Sequence, residues 1–406
     1  MMKIPFSPPY IDDDVMAEVT DSLKSGWITS GPKVKALEEE VSKLCGVTNS
    51  VCVNSWTSGA ILVMKWFGVK EGDEVIIPAY TYTATAQAVL NCGAKPIMVD
   101  VNNDFTINVE AVAAKITPRT KVIIPVDIAG LPCDYDAVNA FVADEKVKKI
   151  FTAHNKVQEK LGRILVVSDA AHSIGAHYNG KNVGSLTDIT ILSFHAVKNI
   201  TTAEGGAVCI NLPENFSTEE VYKIMKLWTL NGQTKDAFAK SQAGGWRYDI
   251  VLPGLKINLP DISAAIGLAQ IRKYESKILK ERKAIANFYE DFFKKKSWAI
   301  LPVLRDDKRE SCYHLFALRI KDFSEEQRDQ MIENISKRNV AVNVHFIPLP
   351  LLSIYKGLGY KIEDYPNAYQ QYSCEISLPI YPQLTTEQLE YICKSIEDSY
   401  QEVMGG

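Results

Sequence analysis

The chain of 406 residues contains no CxxC pair, although it has eight cysteines. Cys45, Cys52, Cys92, Cys133, Cys209, Cys312, Cys374 and Cys393 stand singly in strand-like and helix-like surroundings. The paired spacing of a zinc or redox motif is therefore missing, and they read as buried thiols of a reducing cytoplasm. No stretch reaches the ~18 unbroken apolar residues of a spanning helix. The opening segment MMKIPFSPPYIDDD has one lysine, no apolar run of signal-peptide length, and prolines that interrupt its hydrophobicity. Its expected location is cytoplasmic. Positive charge is not in excess: 45 Lys and Arg stand against 49 Asp and Glu, for a formal charge of −4. With the signs interspersed, neither nucleic acid nor an anionic membrane is expected as a partner. Internal repeats and low-complexity segments are absent.

What is present suits a large α/β protein. At 46% hydrophobic residues the chain can bury one large core and a smaller one. The runs SVCVN, DEVIIPA, KPIMVDV, KVIIPVD, RILVVSD, DITILSF and GAVCI alternate with helical patterns. Most are continuously apolar, as strands covered on both faces are, so the first ~250 residues predict a largely parallel sheet. Ligands of such sheets bind outside the carboxyl ends of the strands. Asn54, Tyr80, Asp100, Asp127, Asp169 and Ser193 fall at those ends. A long amphipathic helix from Pro260 then leads into a second, smaller α+β region. Residues 141–162 read as a charged, helical surface insertion.

Several residues at this edge carry chemistry, and each also has an ordinary reading. VNSWTSGAILVMKWF passes from a strand through Ser55, Thr57, Ser58 and Gly59 into a helix, which makes either a phosphate cradle or a plain capped helix start. Asp169 ends a buried strand, where an unpaired carboxylate is costly, so it needs a cation from a salt bridge or a ligand. His172 suits a core histidine as well as a site. Tyr80 and Tyr82 suit core packing or a plate beneath an aromatic ligand. Lys198 follows the strand DITILSF by a few residues and alone would be a solvated lysine.

Their company changes the reading. Pyridoxal phosphate requires an amine for its aldehyde, an anion for its ring nitrogen, a surface under the ring and donors for its phosphate. Each requirement has a candidate on this one edge. GAHYNGKN comes near a P-loop, but Asn182 stands where a magnesium-binding Ser or Thr is needed. His172 and His177 are wrongly spaced for one helix face, and no cysteine or carboxylate cluster joins them as zinc ligands.

Seven ordered blocks extend this reading over nearly the whole chain: SGWITSGPKVKALEEEVSKLCGV, PAYTYTAT, VVSDAAHSIGA, SFHAVKNITTAEGGAV, GLKINLPDISAAIGLAQI, VHFIPLP and SLPIYPQLT. Together they resemble the sugar aminotransferases of the DegT/DnrJ/EryC1/StrS group, fold-type I pyridoxal phosphate enzymes. The resemblance implies a mostly parallel central sheet with helices on both faces in a cofactor-binding domain, residues 1–261. A smaller α+β domain, residues 262–406, is expected to follow. It also implies that Lys198 bonds to the cofactor, that Asp169 pairs with the pyridinium nitrogen, and that His172 approaches the phenolic oxygen. Tyr82 holds the position of the stacking aromatic, and Thr57, Ser58 and Ser193 those of phosphate ligands. Lys256 and Asn258 match a loop reaching the phosphate of a neighbouring subunit, which implies a homodimer with shared sites. Trp27, Thr29 and His345 lie in blocks implied to contact the substrate.

The implied reaction moves an amino group, from glutamate, onto a nucleotide-linked keto sugar for cell-surface polysaccharide synthesis. Lys256-x-Asn258 with SFHAVKNIT resembles the subgroup acting on UDP-4-keto sugars of the 6-deoxy-hexosamine type. Ser168 before Asp169, and Pro350 where a second histidine is expected, depart from the group's pattern. A sugar dehydratase of the same group would carry histidine in place of Lys198. A non-catalytic binding protein on this fold would have little use for Lys198 and Asp169 together.

Overall fold

The computed structural model describes residues 2–235 and 246–405. Its centre is a seven-stranded sheet built from Asn49–Val53 (β1), Glu74–Pro78 (β2), Lys95–Val99 (β3), Thr120–Ile123 (β4) and Leu165–Asp169 (β5). A small hairpin of His177–Tyr178 (β6) and Lys181–Asn182 (β7) follows, and then the last two sheet strands, Ile189–Ser193 (β8) and Gly206–Ile210 (β9). The spatial order is β1-β9-β8-β5-β4-β2-β3. β9 runs antiparallel to both of its neighbours, and the remaining pairs are parallel. The reversal has a simple cause. Residues 194–205 hold no helix to carry the chain back across the sheet, so the next strand turns back instead.

Alternation along the strands shows that both faces are covered. Val51, Val75, Leu165, Ile191 and Val208 pack with Ala60 and Val63 of the helix Trp56–Phe67 and with Ala86 and Val89 of the helix Thr83–Asn91. On the opposite face, Cys52, Leu192 and Cys209 meet Val34, Leu37 and Val41 of the helix Pro32–Cys45. Ile76, Ile123 and Val166 meet Tyr135, Val138 and Val142. Burial on both sides explains why these strands read as unbroken apolar runs.

A three-stranded antiparallel sheet of Ala299–Ile300, Phe316–Ile320 and Glu375–Leu378 forms a second layer. Its core includes Ile335 and Ile392 from flanking helices, together with Ile4 from the amino terminus. The helix expected from Pro260 is interrupted. Asp261–Ile271 gives way to a π-helical turn, Tyr274–Ile278, before Leu279–Phe293. That turn buries Tyr274 where its hydroxyl meets Asn199, the neighbour of Lys198, at 3.1 Å. The near P-loop is a hairpin turn: Asn179 and Gly180 take positive φ between β6 and β7. Among the described residues no helix is long and apolar enough to cross a membrane.

Candidate active site

A cavity of about 590 Å³ opens at the carboxyl ends of β5 and β8. Thr57, Tyr82, Asp169, His172, Ser193, Lys198 and His345 all line it. Lys198 lies on the connection between β8 and β9, its backbone N–H held by the His195 carbonyl at 2.9 Å. The side chain is half-buried and faces the cavity. Desolvation pushes its pKa down to about 8, with the charge of Asp169 opposing the shift.

Asp169 is the last residue of β5 and is buried. It accepts the Thr85 hydroxyl at 2.9 Å and the Ala171 N–H at 3.2 Å. No described residue forms an ion pair with it. Burial therefore pushes the carboxyl up to about 7, although Thr85, Ala171 and Lys198 all favour the anion. A buried carboxylate that lacks a bonded cation, aimed into a cavity, is a seat for a cationic ring nitrogen.

His172 accepts the Ala129 N–H at Nδ1, at 3.3 Å. The neutral ring must then carry its proton on Nε2, as a donor. Burial, with Lys198 and His345 nearby, holds its pKa far below the usual histidine value. Tyr82 is exposed at the cavity mouth, 5.6 Å from the Phe346 ring, whereas Tyr80 is core and donates its hydroxyl to the His345 carbonyl at 2.6 Å.

The anion seat is local in origin. Ser55 caps the helix Trp56–Phe67 by accepting the Ser58 N–H at 3.1 Å and donating to the Ser58 hydroxyl at 2.9 Å. Ser55 and Thr57 line the cavity, and Ser58, whose hydroxyl accepts from Ser55, keeps its own hydrogen to donate. β9 passes so close that a Cβ on Gly206 would lie 2.7 Å from the Leu192 carbonyl and 2.9 Å from the Trp56 nitrogen. A helix amino terminus with hydroxyls beside it fits a phosphate.

The remaining candidates lie elsewhere and are joined to one another. Asn258 donates to the Ser30 hydroxyl at 2.7 Å and accepts Lys256 Nζ at 2.6 Å. Asp261 N donates to the Thr29 carbonyl, and its carboxylate receives the N–H groups of Gly31, Lys33 and Val34 at the start of the helix Pro32–Cys45. The Trp27 indole N–H donates to the Ser30 carbonyl at 3.2 Å, so Trp27, Thr29, Lys256 and Asn258 belong to one zipped surface unit outside the cavity lining, with Thr29 and Lys256 exposed.

Two strand-end carboxylates are committed to structure. Asp127 accepts Tyr135, Ser173 and Cys133, and Asp100 caps the helix Pro366–Ser373 through the Asn367 and Ala368 N–H groups. Sequence reasoning missed His314, Thr85 and Phe346. His314 lies within a strand-like run, YHLFALRI, and nothing in its neighbours distinguishes it.

The family model for DegT/DnrJ/EryC1/StrS aminotransferases matches residues 9–397, and the chain belongs to this family. The candidate sugar aminotransferase Spr1654 of Streptococcus pneumoniae, in its PMP form, is 43% identical with a TM-score of 0.94, over 98% of this chain and 100% of that one. The Bacillus subtilis spore coat polysaccharide biosynthesis protein SpsC is 34% identical over 97% of this chain and 96% of its own. Helicobacter pylori PseC, an aminotransferase of pseudoaminic acid biosynthesis, is 26% identical with a TM-score of 0.86, over 99% of this chain and 100% of that one. The fold is that of the fold-type I enzymes, and the chain is an aminotransferase. Its cofactor is pyridoxal 5′-phosphate, and the residues present fit it: an enclosed amine, a buried carboxylate without a bonded cation, and a capped helix end.

Proposed function

We propose that this aminotransferase moves an amino group from glutamate to a nucleotide-linked keto sugar, of the UDP-4-keto-6-deoxy-hexosamine type, in polysaccharide synthesis. The observation that carries the chemistry is the enclosure of Lys198 and the unpaired Asp169 in one cavity. The sugar is supported by the names of SpsC, PseC and Spr1654 and by the Lys256-x-Asn258 loop.

Bound here, pyridoxal phosphate supplies an electron sink and a carrier for the amino group. Asp169 would hold the ring nitrogen protonated, and Thr85 and the Ala171 N–H keep that carboxylate aimed. Lys198 would hold the cofactor through its amine and would move a proton at the donor's α-carbon, which a lysine with a lowered pKa does well near neutrality. His172 would offer its Nε2–H to the phenolic oxygen. Tyr82 would cover the ring, and Thr57, Ser58 and Ser193 would bind the phosphate, with the Ser58 hydroxyl keeping its own hydrogen while it accepts from Ser55. The surface unit of Trp27, Thr29, Lys256 and Asn258 completes the site of a second copy of this chain. Ile28, Ile250 and Val251, exposed apolar residues flanking it in sequence, suit such an interface.

The test is direct. Purified chain with pyridoxal phosphate, glutamate and a UDP-linked 4-keto sugar should yield 2-oxoglutarate and an amino sugar by mass spectrometry. Borohydride reduction and peptide mapping should place the pyridoxyl group on Lys198, and Lys198→Ala should abolish both. An adduct on another lysine overturns the assignment of Lys198, and absence of amino sugar from UDP-keto sugars overturns the substrate class.

A further inference from the structure

His345 reaches the cavity from a loop gripped by the second sheet. Asn343 and Ser377 exchange backbone hydrogen bonds of 3.2 and 2.7 Å, and Glu375 on the same strand accepts the His345 N–H at 3.0 Å. The side chains then line up. His345 Nδ1 lies 2.9 Å from Ser377 Oγ, and Ser377 Oγ lies 2.5 Å from Glu375 Oε1. His345 Nε2 bonds to no described residue, and His345 lines the cavity with Lys198. Glu375 and Ser377 are fully buried.

We propose that Glu375, Ser377 and His345 form a neutral proton relay, with Glu375 as the buried reservoir and His345 Nε2 as the atom that exchanges protons in the cavity. With Glu375 protonated, it donates to Ser377, Ser377 donates to Nδ1, and Nε2 carries the hydrogen. When Nε2 gives that proton away, Nδ1 takes one from Ser377 and Ser377 takes one from Glu375. Glu375 is left as the anion, and the imidazole has stayed neutral throughout.

Neutrality matters here, because desolvation and the charge of Lys198 push His345 down to about 3, which bars an ordinary imidazolium acid. Burial meanwhile pushes Glu375 up to about 8, so a proton is available near neutrality. Arg328, Arg319, Tyr80 and Cys374 surround Glu375, and Lys198, His172 and His314 face His345.

Resting on the aminotransferase reading, the relay serves the acceptor ketone. There the carbon–oxygen bond breaks, a carbon–nitrogen double bond forms, and the two protons lost by nitrogen leave on oxygen as water. The relay gives one proton to oxygen and is refilled by one from nitrogen, so its balance closes. His345 is then catalytic, and Ser377 and Glu375 are positioning residues.

The test reads the tautomer itself. In cofactor-free chain labelled with nitrogen-15 histidine, His345 should pass from the Nε2–H to the Nδ1–H form between pH 6 and 9. Ser377→Ala should abolish the switch and Ser377→Thr should keep it. Single-turnover rates with a keto-sugar acceptor should fall ~10–100-fold in Ser377→Ala and recover in Ser377→Thr, while the glutamate half changes less than about twofold. A tautomer that does not switch in the wild type, or still switches in Ser377→Ala, overturns the relay. If the switch is present but no keto sugar is aminated, the relay stands and the sugar reading falls.

Discussion

The imidazole rings of His172 and His314 lie 4.4 Å apart beside Lys198, and burial holds both far below the usual histidine pKa. Neither can become a cation without facing the other ring and the lysine charge. His345 is depressed in the same way.

This arrangement fixes the sign of the acid response. The folded pKa values of these three histidines lie below the unfolded value of ~6.5, so their contribution is complete above that pH and is lost as pH falls through it. Each removes up to about 1.4 kcal/mol of stability per pH unit from ~6.5 down to its own folded pKa, below which the loss stops. Asp169 and Glu375, raised instead, act in the opposite sense as pH rises, so variant and wild type are compared at each pH. His314→Gln should flatten the acid side of the denaturation profile by about one proton. An unchanged slope would show that His314 is protonated in the folded chain.

The lowered pKa of Lys198 should be visible in its reactivity. In cofactor-free chain, the rate at which Lys198 captures pyridoxal phosphate, read by borohydride trapping and mass spectrometry, should climb with pH and level near 8. An ordinary lysine would keep climbing to ~10.4. Continued increase beyond pH 9 would refute the desolvated amine.

Asp169→Asn keeps the shape but removes the anion. Turnover should fall at least ~100-fold while cofactor binding changes far less. Thr85→Val removes one hydrogen bond to the same carboxylate, worth about 1.5–3 kcal/mol. Its loss of turnover should be intermediate, and near-normal turnover of Asp169→Asn would mean that something else tunes the ring nitrogen.

Gly206→Ala should damage the anion seat, since its Cβ would press on backbone atoms of Leu192, Ser55 and Trp56 that have little room to yield. Overpacking of this kind costs about 1–3 kcal/mol. The expected outcome is a lower Tm with cofactor affinity reduced more than tenfold. Unchanged affinity in a folded variant would place the phosphate elsewhere.

Shared sites predict complementation. Lys198→Ala chains mixed with chains carrying Lys256→Ala and Asn258→Ala, each inactive alone, should regain part of the activity once subunits exchange, as followed by a tagged pull-down. Exchanged heterodimers no more active than either parent would end the shared-site proposal.

Strand positions were legible in the sequence because their cause is local: EVIIP and LVVSD are apolar at every step, as strands covered on both faces must be. Lys198 and Asp169 could be read because both follow such runs, and because seven blocks repeat a family's order. Partners were not legible. Asp100, Asp127 and Asp169 carry the same strand-end signature, yet Asn367 and Ala368 engage the first, Tyr135 and Ser173 the second, and only the third faces the cavity without a cation. Likewise the twelve candidate residues divide into a cavity lining, Ser58 beside the Ser55 helix cap, and a surface unit, because contacts such as Asn258 to Ser30 join segments far apart in the chain. Hydrophobic period and caps act over a few residues and are written there. Which carboxylate keeps its charge unpaired depends on packing between distant segments, which only the folded chain brings together.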